Sequence, residues 1–403
     1  MSEWRQAVLG SLTTKIGSGA TPRGGESVYQ ARGVSLIRSQ NVLDNSMKVD
    51  DIARISDAAA DSLRGVTVEA GDVLINITGD SVARCAIVDP AVLPARVNQH
   101  VAILRPSPSL NPLFLQKLLV SPDVKSHLLT IATGGGTRNA LTKSQLSKLI
   151  VSIPPLREQQ AIAEVLGALD DKIAANTALA ATAESLSIEM AATAPASVAL
   201  GSLVEVSKRQ VHPEALGGQI VDHYSLPAFD AESLPSVELA STIKSGKFLL
   251  TGDSVLLSKL NPRFPRVWRA SAGSRPALAS TEFLVLRPTA ISTQLLWSAI
   301  SSPTFASALD ARVAGTSGSH QRVKPADALT VPVRDPRLLP AAEQSVIESS
   351  LRAASLAREE ARTLAATRDA LLPQLMSGKL RVRDAKNAVS EAGHAAHVFG
   401  GDQ

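Results

Sequence analysis

The chain has 403 residues, 44% of them hydrophobic and 3% aromatic, so it has room for two or three domains with cores of Leu, Val, Ile and Ala, and wholesale disorder is excluded. No apolar run reaches the ~18 residues of a membrane span, the first residues lack the basic-then-apolar order of an export signal, and the single Cys85 excludes an internal disulfide or a cysteine-bound zinc site. A cytoplasmic location is therefore expected. The net charge of +4 is unevenly spread. Residues 1–155 carry 16 Lys or Arg against 12 Asp or Glu, residues 156–196 carry 2 against 6, and residues 197–336 carry 14 against 11. Basic segments flanking an acidic one suit globes that hold a polyanion and a helix that faces protein or solvent.

Up to residue 152, short apolar runs alternate with turn signals. GVSLIRSQNV (33–42), GDVLINIT (71–78), ARCAIV (83–88) and QHVAILRP (99–106) have the length and β-branched content of strands. GSGATPRGG (17–25) and DPAVLP (89–94) punctuate them as loops. Residues 111–131 read as helices, with Leu115, Leu118 and Leu119 on one face. GGGTRNALTKSQL (134–146) is a glycine-rich loop running into a short helix.

Residues 153–190 read as one long helix entered through Pro154 and Pro155, where proline costs least. Ile162, Leu166, Leu169, Ile173, Asn176, Ala180 and Ala183 follow the 4–3 spacing of a coiled-coil seam. The segment after this helix repeats the first globe. HVAILRP (100–106) is echoed by EFLVLRP (282–288), GDVLINITGDSVAR (71–84) by GDSVLLSKLNPRFPR (252–266), and GGTRNAL (135–141) by GSHQRV (318–323), while LGSL occurs at 9–12 and again at 200–203. Matches in the same order at a nearly constant offset indicate an internal duplication. A second long helix, within residues 338–380, carries Ile347, Leu351, Ala354, Arg358, Ala361, Ala365, Arg368, Leu372 and Leu375 at seam spacing, widened by Leu364 and Leu371. Polar Asn176, Arg358 and Arg368 on the seam would fix register. Since the globe between them returns the chain, the helices are expected to pair antiparallel. The expected organisation is a globe at 1–152, a helix at 153–196, a second globe at 197–337, a second helix at 338–380, and a frayed polar tail at 381–403.

The sequence argues against catalysis by this chain. It has no GxxxxGK[ST] phosphate loop and no convincing S-adenosylmethionine motif. Asn261-Pro262-Arg263-Phe264 comes near the Asn-Pro-Pro-Phe of adenine methyltransferases but lacks the second proline and a glycine-rich strand–turn–helix. Asp170 and Asp171 are adjacent on a helix, diverge, and read as a solvated or partner-facing patch. DNA reading, by contrast, needs Arg for guanine and Asn or Gln for adenine, with Lys, Ser, Thr and backbone N–H groups on phosphates. In the first globe the candidates are Thr21 and Arg23; Arg38, Gln40 and Asn41; Asn76, Thr78, Ser81 and Arg84; and Gly135, Gly136, Thr137, Arg138 and Asn139. In the second they are Lys259, Asn261, Arg263 and Arg266, then Ser319, His320, Gln321 and Arg322. Asn, Thr and Gly equally make turns, so a purely structural role stands beside the DNA-reading one. A coiled-coil scaffold whose globes bind protein is the alternative function, and an enzyme in its own right is a third.

IPPLREQQAIAEVLGALDDKI (153–173), LAATRDALLPQLMSGKL (364–380), GSGATP (17–22), GDVLINITGDSVARCAIV (71–88) and GGTRNALTKSQL (135–146) resemble the central, C-terminal and target-recognition segments of specificity (S) subunits of type I restriction–modification enzymes. The second helix departs from the pattern in lacking a good copy of ALDDKI. The resemblance implies an α/β (α+β) fold with two similar target-recognition domains separated by an antiparallel two-helix coiled coil with pseudo-twofold symmetry. It implies that each domain reads half of a split double-stranded DNA target. It further implies that the helices dock two modification subunits, and restriction subunits where a system has them. S-adenosylmethionine, ATP and Mg would lie on those partners, with no cofactor on the S subunit.

Overall fold

The computed structural model describes residues 4–134, 139–313 and 321–385. The chain forms two compact units. One takes the residues up to Ala175 and those from Glu359 onward, and the other takes Asn176–Arg358. Each unit holds one globe and a portion of each long helix.

In the first unit, Thr13–Ser18, Val101–Pro106, Val73–Asn76 and Cys85–Ile87 form a four-stranded antiparallel sheet in that order. Val73–Asn76 is buried at every position because both faces of this sheet are covered. Alternate side chains of a strand point to opposite faces. Val73 and Ile75 join a core with Phe114, Leu115 and Leu118, whereas Leu74 joins a second core with Ile37, Val97 and Ile103. The helix carrying Phe114, Pro112–Val120, begins as its sequence dictates: Pro112 occupies the first turn and the Asn111 side chain accepts the Phe114 N–H. A five-stranded sheet runs Tyr29–Gln30, Ala53–Ile55, Val34–Ile37, Ala95–Val97, Thr67–Val68, with one parallel pair, Val34–Ile37 beside Ala95–Val97. Arg5–Val8 pairs with Ile150–Ile153 and ties the start of the globe to the strand that leads into the long helix.

The second unit repeats this plan. Val204–Ser207, Phe283–Pro288, Ser254–Ser258 and Val267–Ala270 form its four-stranded sheet, and Ser197–Ala199 pairs with Pro332–Arg334. Register partners recur at one fixed interval along the chain: Val101 faces Asn76 as Phe283 faces Ser258, and Val68 faces Ala95 as Leu250 faces Ala277. The five-stranded sheets share a parallel pair, here Ile220–Tyr224 beside Ala277–Ser280, but differ at their edges. The first unit adds Tyr29–Gln30 at one edge, and the second adds Gln210–Val211 at the other. The duplication read in the sequence is thus a duplication of strand order and register, and the fold class is mixed α/β as expected.

The long helices run Leu156–Ala192 and Ala341–Met376. Within the first unit they pair antiparallel, with Asp170 bonded to Arg368 and Lys172 to Glu360. Ile162, Leu166 and Leu169 are buried with Leu364, Leu371, Leu372 and Leu375 in the globe's own core, and Ile173 packs at its margin. Within the second unit the seam narrows to Ala180, Ala183, Ala354 and Ala357, while Ile347 and Leu351 enter the globe's core. Ala357, not Arg358, takes the buried place there; the side chain of Arg358 is half exposed and reaches Glu184.

Each unit fastens its globe to the helices with an ion triad. In the first, Asp170 bonds Lys117 of the globe and Arg368 of the second long helix. The Lys117 side chain is 2% exposed, and burial pushes its ammonium below the ordinary value while the Asp170 carboxylate opposes that shift. Asp170 is therefore not a solvated patch. Its geometry needs a partner 53 residues away in sequence, which helical spacing alone does not disclose. In the second unit, Glu184 bonds Arg269 of the globe and Arg358. Arg269 also donates to the Leu351 carbonyl at 3.0 Å and lies over the Trp297 ring.

Candidate nucleic-acid interface

The middle and last loop constellations of each globe meet through the backbone. In the first, the Leu141 N–H donates to the Ile77 carbonyl at 2.8 Å and the Gly79 N–H to the Asn139 carbonyl at 3.1 Å. In the second, the Val323 N–H donates to the Lys259 carbonyl at 3.0 Å and the Asn261 N–H to the Gln321 carbonyl at 2.9 Å. Leu141 and Val323, Ile77 and Lys259, Gly79 and Asn261, and Asn139 and Gln321 are all separated by the interval that relates the strand registers. Single β-bridges, Thr78 to Ala140 and Leu260 to Arg322, mark the same junction.

Gly79 and Asn261 occupy equivalent places and both have positive φ, 76° and 51°. Asn is one of the few side chains that adopt this left-handed conformation readily. Turn geometry therefore accounts for Asn261, and its likeness to a methyltransferase motif carries no further weight.

Thr21, Arg23, Gln40, Arg84 and Asn139 are exposed, and Arg38, Thr78 and Ser81 are half-buried. Asn41 and Asn76 are fully buried, which corrects the expectation that they read bases. The Asn76 amide donates to the Ser39 and Val42 carbonyls at 2.9 and 3.2 Å. The Asn41 amide donates to the Lys48 carbonyl and to Asp51, while its oxygen accepts the Arg38 N–H. The Asn76 amide holds the 38–51 loop to the sheet, and the Asn41 amide closes that loop on itself. Asp51 is the hub of that loop: its carboxylate accepts from Asn41 and Gln40, and its carbonyl accepts from Arg38. Thr78 meets His100 Nδ1 at 2.6 Å. Gly135, Gly136, Thr137 and Arg138 lie outside the described residues.

In the second globe Arg263 and Arg322 are exposed, and Lys259, Asn261, Arg266 and Gln321 are half-buried. Ser319 and His320 lie outside the described residues. Arg266 grips Asp230 with two hydrogen bonds, which hold the Asp230 carboxyl below the ordinary carboxylate range. Arg322 bonds Glu282 at 2.9 Å. These two arginines are anchored, whereas Arg263 lies against the ring of Phe264, which is itself 67% exposed. Phe264 is not among the residues expected to touch DNA, although an aromatic set in Asn-Pro-Arg-Phe-Pro-Arg is a visible signal in the sequence. The acidic partners Asp230 and Glu282 gave none, being 36 and 40 residues from their arginines. Among the described residues, no cluster of His, Cys, Asp or Glu could hold a metal ion, and no helix is long and apolar enough to cross a membrane.

Residues 1–185 match the family model described as the type I restriction modification DNA specificity domain. A curated relative, the type I restriction enzyme HindI specificity subunit of Haemophilus influenzae, is 27% identical over 188 residues. That alignment covers 46% of this chain and 39% of the relative, so the matched stretch spans well under half of the relative's length. Among solved structures, the S subunit of a type I restriction–modification system from M. genitalium superposes with a TM-score of 0.60 at 14% identity, covering 93% of this chain and 96% of that one. At that identity the likeness is one of fold, and it extends over both units.

Proposed function

We propose, for a chain whose residues 1–185 match the model of the type I restriction modification DNA specificity domain, that it is the sequence-reading subunit of a type I restriction–modification complex. Each globe reads one half of a split, asymmetric target in double-stranded DNA. The two long helices set the gap between the half-sites and dock modification subunits that methylate adenine, with S-adenosylmethionine on those partners; restriction subunits, where the system has them, bring ATP and Mg. The chain itself contributes recognition, not catalysis, and the complex works in the cytoplasm.

The observation that carries this reading is the pair of bridged loops, repeated on one backbone frame with different side chains. Thr78, Ser81, Arg84 and Asn139 stand in one globe where Leu260, Arg263, Arg266 and Gln321 stand in the other. Arg and Gln bond guanine and adenine edges in the major groove, whereas Ser and Thr discriminate less. Two frames alike with unlike tips suit two different half-sites. Arg23 and Thr21, exposed after the strand Thr13–Ser18, and Gly135, Gly136, Thr137 and Arg138 belong to the same proposed surface in the first globe, as do Lys259, Asn261, Ser319, His320 and Arg322 in the second. Docking on the helices is supported by exposed Leu179 and Leu186, one heptad apart on the central helix, and by exposed Val346 and Leu356 on the second.

Methylome sequencing of a host carrying the chain with its modification subunit tests the reading. A bipartite, asymmetric methylated motif is expected. In binding assays on that motif, affinity should fall steeply with salt, and random duplex should bind far more weakly. A complex that assembles but shows no sequence preference refutes the proposal.

A further inference from the structure

Phe264 is the most exposed large apolar side chain among the described residues, at 67%. Three features hold it there. The Asn261 N–H is tied to the Gln321 carbonyl and the Phe264 N–H to the Asn261 carbonyl, both at 2.9 Å. Pro262 and Pro265 bracket it and each fixes its own φ. The far end of the loop is clamped by Arg266 on Asp230. The Arg263 guanidinium lies 5.7 Å from the ring centroid, placing a cation beside the aromatic face.

The other globe shows that the turn does not force this exposure. Val82 stands in the first globe where Phe264 stands in the second. It donates its N–H to the Gly79 carbonyl in the same turn at 3.1 Å, yet its side chain is 5% exposed and belongs to the core. The two turns part just after this position, because Ala83 has a φ of 65° that Pro265 at the equivalent place cannot adopt, and the apolar side chain turns inward in the first unit and outward in the second.

We infer that Phe264 is a stacking wedge, which lays its ring against a base of the half-site read by the second unit while Arg263 neutralises the adjoining phosphate. This rests on the DNA-recognition reading above and adds an asymmetry to it. The first unit, with Val82 buried, has no wedge at this position, and the second opens a base step in its own half-site. An aromatic face stacks on any base, so Phe264 selects for deformability and not for base identity. The step it enters is one that unstacks easily, pyrimidine followed by purine. Duplex DNA is favoured over a protein partner as the occupant because the ring projects beside Arg263 on the loop joined to Gln321 and Arg322.

The test uses the complex assembled with its modification subunit on the target found by methylome sequencing. Fluorescent base analogues, 2-aminopurine for purines and pyrrolocytosine for pyrimidines, replace one position at a time along both half-sites. Besides any adenine that the modification subunits draw out of the stack for methylation, the wild-type complex should brighten the analogue at one further step, in one half-site only. Phe264→Ala should abolish that signal and weaken binding about tenfold, and Phe264→Trp should retain both. The inference is overturned if Phe264→Ala leaves the emission pattern and affinity unchanged on a target that is still bound specifically. It is equally overturned if the variant's only loss is of the modification subunit, read by sedimentation. Absence of specific binding by the wild-type complex would instead remove the recognition reading itself.

Discussion

A methyl group on Gly19 would sit 2.2 Å from the Asn98 carbonyl oxygen and 2.3 Å from that of Val97, both backbone atoms. Gly17, two positions earlier in the same glycine-rich motif, has nothing within 4 Å of its would-be Cβ. Gly19→Ala is therefore expected to destabilise the first unit by about 1–3 kcal/mol through overpacking, and Gly17→Ala to leave it within about 0.5 kcal/mol of the parent. Hydrogen exchange of the strand Val101–Pro106, whose Val101 carbonyl accepts the Gly19 N–H, measures the difference. Equal protection in the two variants would refute it. The motif was legible as a string, but which glycine the backbone requires was not, because the answer lies in the carbonyls of Val97 and Asn98, far along the chain. Asn41 and Asn76 show the same limit. Their amides have the chemistry that reads adenine, and nothing local distinguishes an amide facing a groove from one satisfying buried carbonyls.

At the scale of elements, the strands and helices of the globes followed from β-branched runs, turn residues and apolar periodicity, and their edges did not. The strand expected across 33–42 stops at Ile37, and a short 3-10 turn, Ser39–Asn41, follows. That turn forms because the Asn41 side chain accepts the Arg38 N–H. The attachment of globe to helix was also hidden, since it depends on ion triads closed by tertiary contact. Removing one member of a buried pair leaves the others uncompensated. Asp170→Asn should therefore cost the first unit about 3–5 kcal/mol, and adding Lys117→Met to it should recover part of that loss. Urea denaturation of the single and double variants checks this. A single variant as stable as the parent would show that the triad does not hold the helix to the globe.

For the molecule as a whole, the internal repeat was the most readable feature, because a constant offset survives even where few residues are identical. Register partners and loop bridges keep that offset, whereas the edge strands of the five-stranded sheets and the charged anchors of the loops do not. The frame was accordingly legible, and the tips that choose a DNA sequence were legible only as residue types. If the helices act as the ruler, deleting one heptad from each at matched seam positions should shorten the gap in the methylated motif and leave both half-sites unchanged. Altered half-sites with an unchanged gap would defeat the ruler.

Ala180, Ala183, Ala354 and Ala357 give the helix pair of the second unit a seam of single methyl groups. Such a surface has almost no relief, so these four residues add little to the steric phase that Ile347 and Leu351 set by packing into the globe's core. Across the alanine seam itself charge supplies what shape does not, through the bond from Glu184 to Arg358 and the one from Glu184 to Arg269. The bond from Glu184 to Arg269 is shielded from solvent, so the half-exposed bond to Arg358 is the part of this coupling that ionic strength can loosen.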